Sequence, residues 1–286
     1  MKIRFWGVRG SVPSGSRSTA GVGGNTTCLE LRCGNDLVIF DSGTGIRNLG
    51  VQLMKELPVK AKIFYSHVHW DHIQGLPFFT PLYIKGNEFD IYGGSSMPLS
   101  IEDVLKNQMT VPCFPVGMDI MAATTRFHDL KLGDVVEGNG YRVSLAMLNH
   151  PNRCHAYRID EADKSIVLAT DTEHFDDRLD ENLMALADGA DVLIYDCQFT
   201  PSEYYGKDGQ MSRVGWGHST MQEGVKIAKA ANVKHLILFH HDPSHDDKFM
   251  QKIEAETRQL FPNSTVAYEG MEIDLEKEPI TRSLFD

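Results

Sequence analysis

The segment Ser66-His67-Val68-His69-Trp70-Asp71-His72 carries three imidazoles and one carboxylate within six consecutive residues, His67 to His72. It follows a short apolar run, Ile63-Phe64-Tyr65, that reads as a buried strand. So many titratable side chains at the end of a core strand are costly to desolvate unless something binds them. A divalent metal fits, because imidazole and carboxylate together suit Zn, Mn or Fe. His67 and His69 are two apart, which puts both on one face of an extended segment. Asp71 and His72 follow in the turn and could serve a second metal. Two ions about 3.5–4 Å apart that share a bridging ligand make a hydrolytic site. Such a site needs more donors, and the sequence offers them where apolar runs end. His150 follows Val143–Leu148, Asp171 follows Ile166–Ala169, and His240 follows Leu236–Phe239. Strand ends are where α/β folds gather site residues. A lone histidine there is more often a hydrogen-bonded bystander; the joint pattern is what points to metal.

The elements that must position these residues are legible as runs. Strand-like stretches are Lys2–Trp6, Cys28–Arg32, Asp36–Asp41, Lys62–Tyr65, Phe89–Tyr92, Tyr141–Leu148, Ser165–Thr170, Val192–Asp196 and His235–His240. Gly45–Leu57 places Ile46, Leu49, Leu53 and Leu57 at near-helical spacing. Thr220-Met221-Gln222-Glu223 matches a capping box and opens an amphipathic run to Ala231. Asp246–Phe261 reads as a late helix with Phe249, Ile253 and Leu260 as its stripe. The segment from about 95 to 127, with Met97, Met109, Met118 and Met121, reads either as a lid or pocket wall or as a loop-rich core insert.

At 286 residues the chain is long enough to bury a large core. No linker or low-complexity tract marks a boundary, so one domain over 1–286 is expected. No apolar run approaches the roughly 18 residues of a membrane span. The opening Met1–Trp6 alternates like a strand and lacks a signal-peptide core, so a cytoplasmic protein is expected. The five cysteines form no C-x-x-C pair, which fits reduced thiols. A net charge of −11 argues against broad binding of long nucleic acid, which depends on basic surface. It leaves room for a small phosphorylated substrate held by metals.

His67-x-His69-x-Asp71-His72, with later His150, Asp171 and His240, resembles the metallo-β-lactamase-fold hydrolase superfamily. The resemblance runs from Asp41 to His240. It implies an α/β fold, a four-layer αββα sandwich of two mixed sheets with helices outside and a two-metal centre at one edge. By residue, it implies one metal on His67, His69 and His150. The second would lie on Asp71, His72 and His240, with Asp171 bridging. Asp41, in Phe40-Asp41-Ser42-Gly43, matches the first motif and would orient the ligand loop by hydrogen bonds. His240 is favoured over His241 as the last ligand, because only one of two neighbours can point inward. Asp71 also counts among the catalytic residues, and Thr172 and His241 among the groups supporting the ligands. The ions would be Zn or Mn, with Fe also compatible.

Three features narrow the branch. Ala169-Thr170-Asp171-Thr172 resembles the loop of the phosphodiesterase branch. Gly217-His218-Ser219-Thr220 resembles the His-Ser-Thr loop of the tRNA 3′-processing ribonucleases and their small-molecule relatives. Gly7-Val8-Arg9-Gly10-Ser11, with Gly23-Gly24-Asn25-Thr26-Thr27, resembles bacterial members near that branch. The resemblance makes His218 a general acid or stabiliser of the leaving oxygen. Ser219 or Thr220 would cap the following helix, with Ser219 near substrate. Arg9 and Arg213 are candidate phosphate or base contacts, against a bland reading as surface arginines. His245, with Asp246 and Asp247, would support the site or form a turn and helix cap. His128, His155, His174 and His235 read as structural.

The resemblance implies water acidified to a pKa of roughly 7 attacking phosphorus in line. Ribonucleases of the branch carry a long basic arm between the third and fourth motifs. Here His150 and Asp171 are separated by about one hairpin, Cys154–Ala169. A small phosphodiester such as a cyclic nucleotide is therefore the expected substrate, with a homodimer expected from similar proteins. The alternatives are a thioester or lactone hydrolase, a ribonuclease, or a non-catalytic ligand-binding member. The last is disfavoured because every expected ligand is present. A redox di-iron centre is disfavoured because His69 stands where that branch has an acidic residue.

Overall fold

The computed structural model describes residues 1–94, 99–207, 209–277 and 280–286. The apolar runs found in the sequence become the central strands of two sheets. The first sheet contains β1 (Lys2–Gly7), β2 (Cys28–Cys33), β3 (Asp36–Phe40), β4 (Lys60–Tyr65), β5 (Glu88–Gly94) and β6 (Thr124–Leu130) in that spatial order. The second contains β7 (Val135–Glu137), β8 (Tyr141–Leu148), β9 (Cys154–Glu161), β10 (Lys164–Ala169), β11 (Val192–Asp196), β12 (His235–Phe239) and β13 (Ser264–Val266). A last strand, β14 (Glu272–Asp274), returns to pair with β1. Both sheets are mixed: β1–β3 and β7–β10 pair antiparallel, while β3–β6 and β10–β13 pair parallel.

The sheets pack face to face. Tyr157 of β9 sits on Phe40 of β3 and Phe64 of β4, with ring centroids 5.6 and 5.4 Å apart. Such aromatic pairs add about 0.5–1.5 kcal/mol beyond burial. The outer faces carry helices. On the first sheet lie α1 (Ile46–Leu53) and α3 (Ile101–Asn107), with the single turn α2 (Trp70–Ile73) between them in sequence. On the second lie α4 (Glu181–Ala187), α6 (Met221–Ala230) and α7 (Asp247–Leu260); α5 (Pro201–Tyr205) is a short helix capped by Thr200 and Glu203. This is the expected αββα sandwich. No described helix is long and apolar enough to cross a membrane. All five cysteines are free, with Cys113 alone exposed.

Three expectations need adjustment. The helix expected over Gly45–Leu57 ends at Leu53. Thr220 stands at the N-cap of α6, but its side chain makes no cap hydrogen bond, and Glu223 pairs with Lys226 instead of closing a capping box. In the segment from about 95 to 127, Met109 and Met118 are buried in the core beneath the first sheet. These two methionines are core residues, while residues 110–117 are largely exposed; residues 95–98, including Met97, lie outside the described residues.

Candidate metal centre

The centre forms at the edge where β4, β8, β10 and β12 end. The first sheet delivers His67, His69, Asp71 and His72 in the loop and single turn after β4. The second sheet delivers His150, Asp171 and His240 from just beyond β8, β10 and β12. All seven side chains named from the sequence converge in two groups, each with ligand atoms within 4.8 Å of one another. One is His67, His69 and His150; the other is Asp71, His72, Asp171 and His240.

Asp171 divides its carboxylate between them. Its Oδ1 lies 3.6 Å from His67 Nε2 and 4.0 Å from His150 Nε2. Its Oδ2 lies 3.2 Å from His72 Nε2 and 3.3 Å from His240 Nε2. Asp71 Oδ2 lies 3.3 Å from His72 Nε2 and 3.2 Å from His240 Nε2. In the first group His69 offers Nδ1, 3.1 Å from His150 Nε2.

Hydrogen bonds fix which nitrogen faces inward. Asp41 Oδ2 accepts from His72 Nδ1 at 2.8 Å and from Ser66 Oγ at 2.8 Å; Ser66 Oγ lies 3.1 Å from His67 Nδ1. Gly217 O accepts from His150 Nδ1 at 2.8 Å, and Gln198 Oε1 from His240 Nδ1 at 3.0 Å. Each acceptor leaves Nε2 with a lone pair toward the centre. Asp41 and His240 hold these positions in left-handed backbone, with φ of 58° and 60°. For residues other than glycine that costs about 1–3 kcal/mol each and is typical of functional sites.

A metal pair fits these residues. His67 Nε2 is buried and has no hydrogen-bond partner, a state normally too costly to keep. Burial first, and then the neighbouring imidazole His72, hold His67 well below the usual histidine range. Burial also lowers His69 and His150. Each shift favours the neutral ring that a metal ligand must present. Burial favours the neutral acid of Asp171, but His240, His72 and His67 outweigh it and keep the group ionised. The donor set suits Zn or Mn.

His218 stands beside both groups. Its Nδ1 donates to Asp196 Oδ2 at 2.8 Å, and its ring stacks on His240 with centroids 5.0 Å apart. Its Nε2 makes no hydrogen bond among the described residues. Burial lowers its pKa, but Asp196 overrides burial and lifts it to about 9. Asp196 also accepts the backbone N–H of Thr172 at 3.2 Å and of Gln198 at 3.0 Å.

A model of the beta-lactamase superfamily domain matches residues 37–241, more than half of the chain and all of these side chains. The chain belongs to this superfamily. A ribonuclease Z of Methanothermobacter thermautotrophicus is 28% identical, with 96% of this chain and 97% of the relative covered. The metallo-β-lactamase-fold protein YhfI of Bacillus subtilis superposes with a TM-score of 0.71 at 18% identity, covering 95% of this chain and 97% of the other. A diphosphatase of the PhnP family gives 0.68 at 19% identity, covering 96% and 97%. The superfamily fold and the His/Asp cluster make this chain a metallo-hydrolase.

Several expected site residues are engaged by other groups of the fold. Arg9 is fully buried, and its guanidinium donates to the carbonyls of Gly23, Asp242 and His245 at 2.7–3.0 Å, so it ties loops together and faces no substrate. Arg213 donates to Glu203 O at 3.1 Å and lies over the Phe199 ring. Ser219 is fully buried between His174 and Tyr195, leaving no access for substrate. His241 turns away to Ala267 O, and His245 pairs with Glu203 Oε1 at 2.9 Å. The adjacent rings of His240 and His241 thus point apart, with His240 at the centre.

Sequence reading missed Ser66, Asp196, Gln198 and Arg153. Asp196 ends an apolar run in the way Asp171 nearly does, so the same signal was present. Arg153 sits at the tip of the β8–β9 hairpin, where Asn152 and Arg153 are both left-handed, with φ of 63° and 70°. Its N–H bonds His150 O at 3.1 Å, and Asn152 Nδ2 lies 3.4 Å from His69 Nε2. Its guanidinium has no hydrogen bond or ion pair among the described residues.

Proposed function

We propose that the chain hydrolyses a small phosphodiester such as a cyclic nucleotide. The observation that carries this is His218, held by Asp196 against the ligand cluster with its Nε2 free. Two divalent cations in the two groups would supply Lewis acidity toward phosphoryl oxygens and a water acidic enough to ionise near neutral pH. The chain's own residues do the rest. Asp171 ties the two groups together, and Asp41, Gln198 and Gly217 hold the rings in register. Arg153, carried on the hairpin tip whose backbone bonds His150 O, is assigned to a non-bridging oxygen. His218 gives its Nε2 proton to the departing oxygen, and Asp196 stabilises the ring while it carries that proton. The site draws on residues from Asp41 to His240 across both sheets, which supports reading the chain as one domain. A cytoplasmic homodimer belongs to the same reading, with light scattering as its check.

Hydrolysis of RNA is the second reading, favoured by the ribonuclease Z relative. Against it stand the acidic balance and the single hairpin, Cys154 to Ala169, between His150 and Asp171. The experiment is a panel on Mn- or Zn-loaded protein: bis-p-nitrophenyl phosphate, 3′,5′-cyclic purine and pyrimidine nucleotides, a 3′-extended tRNA, S-lactoylglutathione and a homoserine lactone. Phosphodiester turnover is expected. Thioester or lactone turnover alone would sink the proposal, and tRNA cleavage alone would select the second reading.

A further inference from the structure

We infer that Glu173 is the positioning residue that fixes His218 and His150 over the centre. Its carboxylate is buried and accepts three donors: Gly215 N–H at 2.6 Å and Tyr204 O–H at 2.6 Å on Oε1, and Gly217 N–H at 2.8 Å on Oε2. Its own N–H donates to Asn149 O at 2.7 Å, and Asn149 Nδ2 donates back to Glu173 O at 2.9 Å. Glu173 stands two residues after Asp171, Asn149 one before His150, and Gly217 one before His218. One side chain and its backbone therefore join the three loops that carry a bridging carboxylate, a metal-facing ring and the proposed acid.

No lysine or arginine pairs with Glu173 among the described residues. The carboxylate is compensated by hydrogen bonds alone, two of them from backbone amides of one loop. Such charge-assisted bonds are short and directional, so they set the height of that loop. Gly217 makes the close approach sterically possible. Its φ is +89°, and a Cβ there would meet His150 Nδ1 at 2.2 Å. Its carbonyl accepts a hydrogen bond from His150 Nδ1. A shift of the Gly215–Gly217 loop would move His150 and His218 together. Misplacement by about 1 Å can cost on the order of 10²-fold in rate.

The kinetic arm of the test rests on the phosphodiesterase reading; the spectroscopic arm does not. Glu173→Gln keeps the shape but turns one acceptor into a donor that opposes a loop amide. In zinc-loaded protein, ring ¹⁵N signals of His218 and His150 are expected to move, while those of His72 and His240 stay. With a 3′,5′-cyclic nucleotide, whose alkoxide needs a proton, kcat is expected to fall about 10–100-fold with KM little changed. With bis-p-nitrophenyl phosphate, whose leaving group needs none, the loss should be only a few-fold. Adding His218→Ala to Glu173→Gln should cost little beyond His218→Ala alone. Tyr204→Phe, which removes one donor, should show a weaker version of the same pattern if Glu173→Gln does not fold. Equal losses on both substrates, or unmoved His218 and His150 signals in a folded variant, would overturn the assignment. If the wild type cleaves no phosphodiester, the function proposed above fails, and the ring signals still decide the role of Glu173.

Discussion

His72 and His240 aim their Nε2 atoms at each other across 3.3 Å, while Asp41 and Gln198 hold the opposite nitrogens. Two neutral rings so held would set lone pair against lone pair. A proton or a cation must therefore lie between them. Burial disfavours charge on His72, but Asp171, Asp71 and Asp41 prevail and raise it well above the usual range. These carboxylates favour a proton in that place in the absence of a cation. Zinc uptake is thus expected to release at least one proton per chain and to weaken as pH falls. Calorimetry in two buffers of different ionisation heat checks this; uptake without proton release would contradict it.

The two groups of ligands should be separable. His240→Ala is expected to lose about one of two metal equivalents, and Asp171→Ala to weaken both, by metal analysis of dialysed protein. The first variant leaves His67, His69, His150 and Asp171 in place, whereas the second removes the carboxylate that both groups share. Equal full loss in both variants would show that the centre binds as one unit.

In the proposed mechanism Asp196 works through His218, whose Nδ1 it holds at 2.8 Å. Asp196→Asn is expected to lower kcat about 10–100-fold without changing metal content. It should also pull down the basic limb of the pH–rate profile, because Asp196 is what lifts His218 against burial. An unchanged limb would remove Asp196 from the mechanism.

Arg153→Ala should raise KM for anionic phosphodiesters about 10-fold or more, the usual size of a lost charged hydrogen bond. Hydrolysis of a neutral ester, if any, should not respond. Arg9→Ala should instead lower the melting temperature, because Arg9 bonds three carbonyls inside the fold. A KM unmoved by the loss of Arg153 would refute its role.

His235 gives a pH signature remote from the centre. Its Nε2 lies 3.0 Å from Thr265 Oγ1; burial, then Arg258, pushes it down to about 4. The unfolded ring titrates near 6.5. Between these values the unfolded chain takes up a proton that the folded chain refuses. The resulting stability is present above pH ~6.5 and drains away as pH falls through about 4, by at most ~3 kcal/mol. His235→Gln should flatten that part of the curve in urea titrations at pH 7, 6 and 5. Parallel curves for variant and wild type would disprove it.

The centre was readable from sequence because four ligands crowd into one short segment and the other three are polar residues closing apolar runs, patterns that survive without knowledge of pairing. The central strands and α7 were readable for the same reason: burial leaves a period. The three-residue strands β7, β13 and β14 leave none. The polar strand β6, Thr-Thr-Arg-Phe-His-Asp-Leu, lacks alternation because it lies at a sheet edge. The arginines show a different limit. Arg9, in its glycine-rich loop, looked like a phosphate contact, and Arg153 did not. Which cation is free depends on who pairs with the others, and that is a property of the folded chain. Glu173 is invisible for a similar reason, since its partners are backbone amides about forty residues away in sequence.

The ligands come from both sheets, four from the first and three from the second. A pair of cations would therefore rivet the sandwich shut along one rim. Withdrawing them leaves that rim to imidazole–carboxylate contacts such as His72 with Asp171, which protonation must sustain. The lifetime of this protein against heat or proteases should then track the supply of free zinc or manganese, by mass action. Starvation for the ion would remove the catalyst itself, as well as its activity.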